Sequence, residues 1–140
     1  DVDYPVRIGG FSTKLRFKAA SGGSNSTPEQ IEQGRAKVWC SFDGTSGGTN
    51  KTIRDDFNVS TVVDNGTGDY TINYSITFAN TNYVLAGTGG PNSEYISNHL
   101  TGAGTSSAYT TTSCRFTTRA TNSNGLSDAV FVEIIIFGDV

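Results

Sequence analysis

Residues that carry metal and nucleophilic chemistry are scarce in this sequence. The 140 residues include one histidine and two cysteines, too few to build a four-ligand zinc site from Cys and His alone. No G-x-S-x-G motif is present, and the only imidazole, His99, lies in a polar stretch. Asp55 and Asp56 are neighbours on a predicted strand, so their side chains point to opposite faces unless a bulge intervenes. We therefore expect no catalytic residues, no metal and no cofactor.

Basic runs and long apolar runs are also missing. The net charge is −3, with 10 Lys and Arg against 13 Asp and Glu. Proteins that bind nucleic acid by neutralising phosphates need a basic patch, so nucleic acid is not an expected partner. No segment reaches the ~20 apolar residues that span a bilayer, so we expect no membrane insertion.

The abundant residue types are those that form short strands and polar turns. Glycine supplies 17 residues, and Ser, Thr and Asn are similarly frequent, whereas aromatic residues still make up 11%. Apolar and polar residues alternate in runs such as RAKVWCSF, with turn residues between the runs. The pattern predicts an all-β fold, an antiparallel β-sandwich of about seven or eight strands, jelly-roll-like or Ig-like.

The run VVDNGTGDYTINYSI predicts a hairpin. Tyr70, Ile72 and Tyr74 fall on one face of its second strand, and DNGTGD supplies the turn between Asp64 and Asp69. Asn-Gly suits a turn because both residues tolerate positive φ at low cost. The same six residues carry oxygen ligands, but they lack the spacing and terminal Glu of an EF-hand, so we interpret them as a turn rather than a calcium loop.

The N-terminal part of the sequence predicts a strand, a flexible connection and then a short helix. The run FSTKLRFKA reads as a strand with one basic face, followed by the flexible SGGSNS connection. TPEQIEQG then carries the one helix signal, with Thr27 as N-cap, Pro28 in the first turn and Gly34 at the end. We therefore divide the chain into residues 1–25, an N-terminal strand and connection, and residues 26–140, the sandwich domain.

The last run, AVFVEIIIFG, is apolar on both faces of a predicted strand. Phe131, Glu133, Ile135 and Phe137 share one face, interrupted only by the glutamate. A strand that is apolar on both sides is usually covered on both sides. Either a neighbouring subunit covers this face, in which case these four residues form an interface, or the strand is central in a single-chain sandwich.

The two cysteines leave two alternatives. Cys40 and Cys114 each lie inside a predicted strand. They form a disulfide between facing strands, or they pack as two buried free thiols.

The segments GRAKVWCSFDGT and TIRDDFNVSTVVDNGTGDYTINYSITFANTNYVLAG resemble a domain found near the C-termini of bacteriophage tail fibres and related virion proteins, especially in phages of marine bacteria and cyanobacteria. The resemblance covers Gln30 to Gly90 and the last ten residues. It is carried mainly by D-N-G-T-G-D-Y together with I-R-D-D-F-N-V-S. The chain departs from the pattern at Cys40, in the SGGTNK loop and over residues 91–112.

This resemblance implies a virion protein without enzymatic activity, most simply the host receptor-binding (adhesin) domain of a tail fibre. It implies a homotrimer, contact with other virion proteins through the N-terminal segment, and a host glycan or outer-membrane protein as ligand. The aromatic residues proposed for ligand binding are Tyr95, His99, Tyr109 and Tyr83. The alternatives are a structural virion protein that recognises no host, such as a capsid-decoration, shaft or adaptor domain, and a polysaccharide depolymerase.

Overall fold

The computed structural model describes the backbone of residues 4–8, 11–15, 28–90, 98–102, 108–120 and 125–140, and the side chains of residues 30–90, 108–120 and 125–140. The chain divides into two compact units, Asp1–Arg35 and Ala36–Val140. The sequence predicted a boundary near residue 25, whereas the contacts divide the chain after Arg35 and group the helix with the first unit.

Ten strands and one helix are present in the described ranges. They are, in chain order, β1 (Tyr4–Ile8), β2 (Phe11–Leu15), α1 (Pro28–Gln33), β3 (Val38–Asp43), β4 (Thr52–Phe57), β5 (Val59–Gly66), β6 (Asp69–Tyr74), β7 (Val84–Gly89), β8 (Asn98–Gly102), β9 (Ser113–Ala120) and β10 (Val132–Phe137).

The first unit contains an antiparallel hairpin and the helix. β1 pairs with β2, with Tyr4 opposite Leu15 and Ile8 opposite Phe11. Helix α1 begins at Pro28 as the sequence predicts, and Gly34 N donates to Gln30 O at 3.0 Å to close it. The proposed N-cap, Thr27, lies outside the described residues.

The second unit is one antiparallel sheet of eight strands in the order β4-β3-β10-β7-β8-β9-β6-β5. Two register pairs join β7 to β8, so the sheet is narrow at that point. The segment just before β4 also meets β5, at the other end of the sheet, because Lys51 N donates to Val62 O and Asp64 N donates to Thr49 O, both at 2.8 Å. The sheet therefore folds into two halves, β4-β3-β10-β7 and β8-β9-β6-β5.

The two halves face each other across the core, as in a sandwich. Rings from β3, β6 and β9 meet there: Phe42 lies 5.1 Å from Tyr70 and Tyr70 lies 5.9 Å from Phe116, centroid to centroid. Burial alternates along β3, β6 and β10, as expected when every second side chain points inward. The predicted all-β antiparallel sandwich with one short helix is confirmed.

The hairpin predicted from DNGTGD is present between β5 and β6. Positive φ occurs at Gly66 (132°) and Gly68 (61°). Asn65 does not have positive φ, and that part of the prediction is wrong. Its side chain is held in the strand instead, because Asn65 Nδ2 donates to Thr71 Oγ1 at 2.9 Å.

Candidate interface on the outer face of the sandwich

Two of the four aromatic residues proposed for ligand binding are packing residues. Tyr83 is 7% exposed, and its hydroxyl donates to Thr110 O and Ser113 O, both at 3.0 Å. Tyr109 is partly buried and packs against Tyr83, with ring centroids 5.4 Å apart. The Tyr83 ring is therefore not available for stacking on a sugar, which corrects the prediction for this residue. Its burial also raises the pKa of the hydroxyl to about 12.

The other two proposed ligand residues are not located by side chain. Tyr95 lies outside the described residues. His99 lies on β8, where its backbone pairs with Thr88 and Arg119, and its side chain is outside the described set. Their proposed role in ligand binding stays a prediction.

The four residues proposed as a subunit interface do share one outward face. Along β10, Val132, Ile134 and Ile136 point into the core, while Glu133 and Ile135 are exposed. Phe131, just before the strand, is 48% exposed, and Phe137 is partly exposed. Within a single chain this side of β10 faces outward, away from the core.

The strand register extends this outward face across all four strands of the half-sheet. Side chains of directly opposed residues lie on the same side of a sheet. Ile135 is opposed by Trp39 on β3 and Ala86 on β7, and Trp39 is opposed by Phe57 on β4. These four residues form an apolar row, and Phe137 and Val84 form an apolar pair beside it. We call the outward side of β4-β3-β10-β7 the outer β10 face.

A polar row runs parallel to the apolar one. Glu133 is opposed by Ser41 and Thr88, and Ser41 is opposed by Asp55. Between the two rows lies a groove of about 440 Å³. It is lined by Trp39, Cys40, Ser41, Gly87, Thr88, Glu133, Ile134 and Ile135. One wall of the groove is therefore aromatic and aliphatic, and the other carries a carboxylate and two hydroxyl groups.

Arg54 lies at one end of the outer β10 face, where it contacts both an aromatic ring and a carboxylate. The Arg54 guanidinium lies 4.4 Å from the centre of the Phe131 ring, and Arg54 Nη2 lies 3.2 Å from Asp43 Oδ2. Threonine hydrogen bonding, followed by the attraction of Arg54, lowers the pKa of Asp43. The Asp43–Arg54 pair is close to neutral, and the polar row beside it carries the carboxylates of Glu133 and Asp55.

The outward side of β6 and its neighbours, the outer β6 face, is polar by contrast. Asn73 Nδ2 donates to Thr61 Oγ1 at 2.9 Å. Arg115 donates to both oxygens of Asp69, at 2.8 and 2.5 Å. Arg115 is therefore engaged in a bidentate pair within its own chain.

The acidic residues of the DNGTGD turn are likewise paired with cations. Asp64 Oδ2 lies 2.7 Å from Lys51 Nζ, whose side chain is 4% exposed, and Asp69 binds Arg115. Hydrogen bonding from Lys51 and from Arg115 lowers the pKa of Asp64 and of Asp69, respectively. Within the part of the chain that the structure describes, no group of three or more His, Cys, Asp or Glu residues is placed to hold a metal ion.

Both cysteines are buried free thiols. Burial raises the pKa of Cys40 to about 12, with a further contribution from Asp56, and burial raises that of Cys114 to about 12. Of the two alternatives the sequence left open, the structure shows the unbonded one. Thiols of this kind are poor nucleophiles because almost none is ionised near neutral pH.

Comparison with models of known protein families, with curated proteins and with solved structures found no match. No helix among the described residues is both long enough and apolar enough to cross a membrane.

Sequence reasoning found the β10 part of the outer face and missed the rest. Phe57, Trp39, Val84 and Ala86 join it only through the register of β4, β3 and β7 against β10. The alternation within VWCSF was the signal that could have identified Trp39. It points this side chain away from the core, opposite to Val38, Cys40 and Phe42.

Proposed function

We propose that this chain is a non-enzymatic virion protein, the host receptor-binding domain of a phage tail fibre, and that it assembles as a homotrimer through the outer β10 face. The virion assignment is supported by the sequence resemblance over Gln30 to Gly90. The assembly is supported by one observation above all: the outer β10 face carries a row of exposed apolar side chains, while Asn73 of β6 and Arg115 of β9 on the outer β6 face are hydrogen-bonded to neighbouring side chains.

The exposed apolar side chains are large and adjacent. Phe57 is 42% exposed, Val84 63% and Ile135 36%. Soluble monomers rarely expose contiguous apolar patches larger than a few hundred Å², and such patches commonly mark contact sites. A closed threefold arrangement covers every copy of the face equally and leaves no open surface for further growth.

The absence of enzymatic activity is supported by the roles of the acidic side chains. Asp43, Asp64 and Asp69 accept hydrogen bonds from neighbouring side chains, and Asp128 Oδ1 accepts from Tyr70 Oη at 2.7 Å. Glycoside hydrolysis needs two carboxyl groups facing each other across a cleft. These four carboxylates instead hold turns and strands together, whereas Glu133 and Asp55 lie on the polar row of the outer β10 face.

Host recognition is assigned to Tyr95, in the polar sequence between β7 and β8, and to His99 of β8, with a surface glycan or an outer-membrane protein as the ligand. Loops on a rigid frame carry binding in many β-sandwiches because the frame tolerates their variation. The N-terminal segment is proposed to join other virion proteins, and the proposed location of the protein is the virion surface.

The test has two measurements. Sedimentation equilibrium of the full chain is expected to give a mass of three times 14.8 kDa. Added to host bacteria, the protein is expected to bind the cells and to block adsorption of the phage, and Tyr95→Ala and His99→Ala to weaken both effects. Tyr109→Phe serves as the control, because it removes one hydroxyl from a packed ring.

The results separate this proposal from its alternatives. A trimer that neither binds cells nor blocks adsorption would indicate a structural virion protein, and particle imaging that places it on the capsid would support the same conclusion. New reducing ends after incubation with host polysaccharide would indicate a depolymerase.

A further inference from the structure

Asn65 and Gly66 form an Asn-Gly pair at the exposed tip of the β5–β6 hairpin, and the sequence contains one other such pair, Asn124–Gly125. The turn takes its positive φ values from Gly66 and Gly68, so its conformation does not by itself account for the asparagine. Among the described residues, no atom beyond the chain neighbours of Gly66 lies within 4 Å of a Cβ built on it. The pair is therefore open to water.

An Asn-Gly pair carries a reaction of its own. The backbone nitrogen of the glycine loses its proton to solvent and attacks Cγ of the asparagine; a new C–N bond forms, and the side-chain amide leaves as ammonia. Water then opens the five-membered succinimide ring to aspartate or to isoaspartate. Glycine is the most permissive second residue because it has no Cβ to hinder the attack. The reaction needs no oxidant, no metal and no second protein.

The hairpin holds both reacting groups in an unreactive arrangement. Asn65 Nδ2 donates to Thr71 Oγ1 at 2.9 Å and, over a longer distance of 3.4 Å, to Asp69 Oδ1. These bonds direct the amide across the hairpin toward β6. Gly66 N, the attacking atom, donates to Asp64 Oδ1 at 2.9 Å. Both sets of bonds must break before the nitrogen reaches Cγ.

The charge on Asp64 adds to this restraint. Hydrogen bonding from Lys51, whose Nζ lies 2.7 Å from Asp64 Oδ2, lowers the pKa of this carboxyl group, so it is ionised at neutral and alkaline pH. A negative charge beside the Gly66 N–H opposes the loss of its proton. The fold therefore slows the step that makes the nitrogen a nucleophile.

We propose that Asn65 is a site of spontaneous deamidation, that the side-chain hydrogen bonds of the hairpin set its rate with Thr71 as the main restraint, and that conversion loosens the hairpin. The inference is independent of the proposed virion function and of the proposed assembly, and it gives the folded chain a slow, self-contained modification.

The products of the reaction do not fit the hairpin as asparagine does. Aspartate at position 65 has no donor for Asp69 Oδ1, which already accepts from Arg115, and it sets a second negative charge beside it. Isoaspartate also lengthens the backbone by one methylene group. That change falls two residues before Gly68, where a Cβ would already lie 2.6 Å from Thr118 O. Both products are expected to weaken the turn.

The experiment follows deamidation of the full chain by peptide mapping and mass spectrometry during incubation at pH 8, in buffer and in urea. Asn65 is expected to convert at least about tenfold more slowly in buffer, because each hydrogen bond of ordinary net strength that must break lowers the reactive population by roughly fivefold. Asn124, which lies outside the described residues, is the reference in the same digest. In urea the two pairs are expected to convert at similar rates.

Two matched variants separate the restraint on Asn65 from general stability. Thr71→Val removes the hydroxyl that accepts from Asn65 and is expected to speed its conversion in buffer by about fivefold. Thr61→Val removes an equivalent bond, from Asn73 Nδ2 at 2.9 Å, in the same hairpin, and is expected to leave the conversion of Asn65 unchanged. Thr71→Ser, which keeps a hydroxyl, is expected to retain the natural rate.

Each part of the inference has its own contrary result. If Asn65 does not convert in urea, it is not a deamidation site. Equal rates in buffer and in urea, or a Thr71→Val chain no faster than Thr61→Val, overturn the restraint by the hairpin. Asn65→Asp reproduces one product from the start and is expected to lower the melting temperature by a few degrees; a melting temperature equal to that of the natural chain overturns the loosening of the hairpin.

Discussion

Gly68, at the tip of the β5–β6 hairpin, is expected to be the least replaceable glycine among those whose surroundings the structure describes in the turn. Its φ is 61°, a conformation that costs an L residue roughly 1–2 kcal/mol. A Cβ atom placed there would lie 2.6 Å from both Ser127 N and Thr118 O. Those two atoms are hydrogen-bonded to each other at 3.1 Å, so neither can retreat freely.

The cost of Gly68→Ala therefore has two parts. Backbone strain contributes roughly 1–2 kcal/mol, and forcing a methyl group against backbone contributes about 1–3 kcal/mol more. The total is about 2–5 kcal/mol in the free energy of unfolding. For a domain of ~100 residues this lowers the melting temperature by about 10 °C or more.

Two other glycines are matched controls. Gly66 has φ 132° but no atom within 4 Å of an added Cβ, so Gly66→Ala is expected to cost only the strain, of order 1–3 kcal/mol. Gly47 has neither restriction, and Gly47→Ala is expected to change stability by no more than about 0.5 kcal/mol. Urea unfolding of the three variants is the assay. If Gly68→Ala were no more destabilising than Gly66→Ala, the close contact with Thr118 and Ser127 would not matter and the reasoning would be wrong.

Three further predictions concern Asn58 between β4 and β5, the carboxylates of Asp64 and Asp69, and the two cysteine thiols. Asn58→Ala is expected to lower the free energy of unfolding by about 2 kcal/mol, because Asn58 has φ 60° and its side chain donates a hydrogen bond to Lys37 O at 2.8 Å. Asn58→Gly loses the hydrogen bond but tolerates this φ, so it is expected to cost about half as much. Urea unfolding measures both. Because the folded-state pKa values of Asp64 and Asp69 are lowered, the stability these residues contribute is complete above the unfolded value of about 3.9 and is lost as the pH falls further; melting curves between pH 5 and 2 test this. Cys40 and Cys114 are expected to resist a thiol reagent in the native protein at pH 8 and to react as two thiols after denaturation; no reaction after denaturation would indicate a disulfide.

The architecture could be predicted from sequence because alternation is a local signal. In DYTINY and VWCSFD, every second side chain is buried, as the printed order of residues suggests. The close packing of Gly68 was not predictable, because it depends on a segment that follows it in the sequence by some 60 residues.

The candidate face was only half predictable for a related reason. Strand β10 is apolar on both faces within one continuous segment, so the sequence alone predicted that Ile135 belongs to a second apolar face. Trp39 and Ala86 become its neighbours through hydrogen-bonded register, which depends on which strands pair. The prediction for Tyr83 failed because it used only the neighbouring sequence, in which an aromatic residue beside a polar segment suggested a binding site. In the fold its hydroxyl donates to two backbone carbonyls at the edge of the core.

The strict DNGTGD turn and the exposed strand β10 are physically connected. Asp128 Oδ1 accepts hydrogen bonds from Gly68 N at 2.6 Å and from Tyr70 Oη at 2.7 Å, and Ala129 O accepts from Gly44 N at 2.9 Å. Asp128 and Ala129 lie just before Val132, where β10 begins. The hairpin tip thus fixes the path by which the chain enters β10, and with it the positions of Glu133 and Ile135 on the outer face. A turn that only reversed the chain would tolerate many sequences. One that also holds the approach to β10 needs glycine at Gly68 and a carboxylate at Asp128.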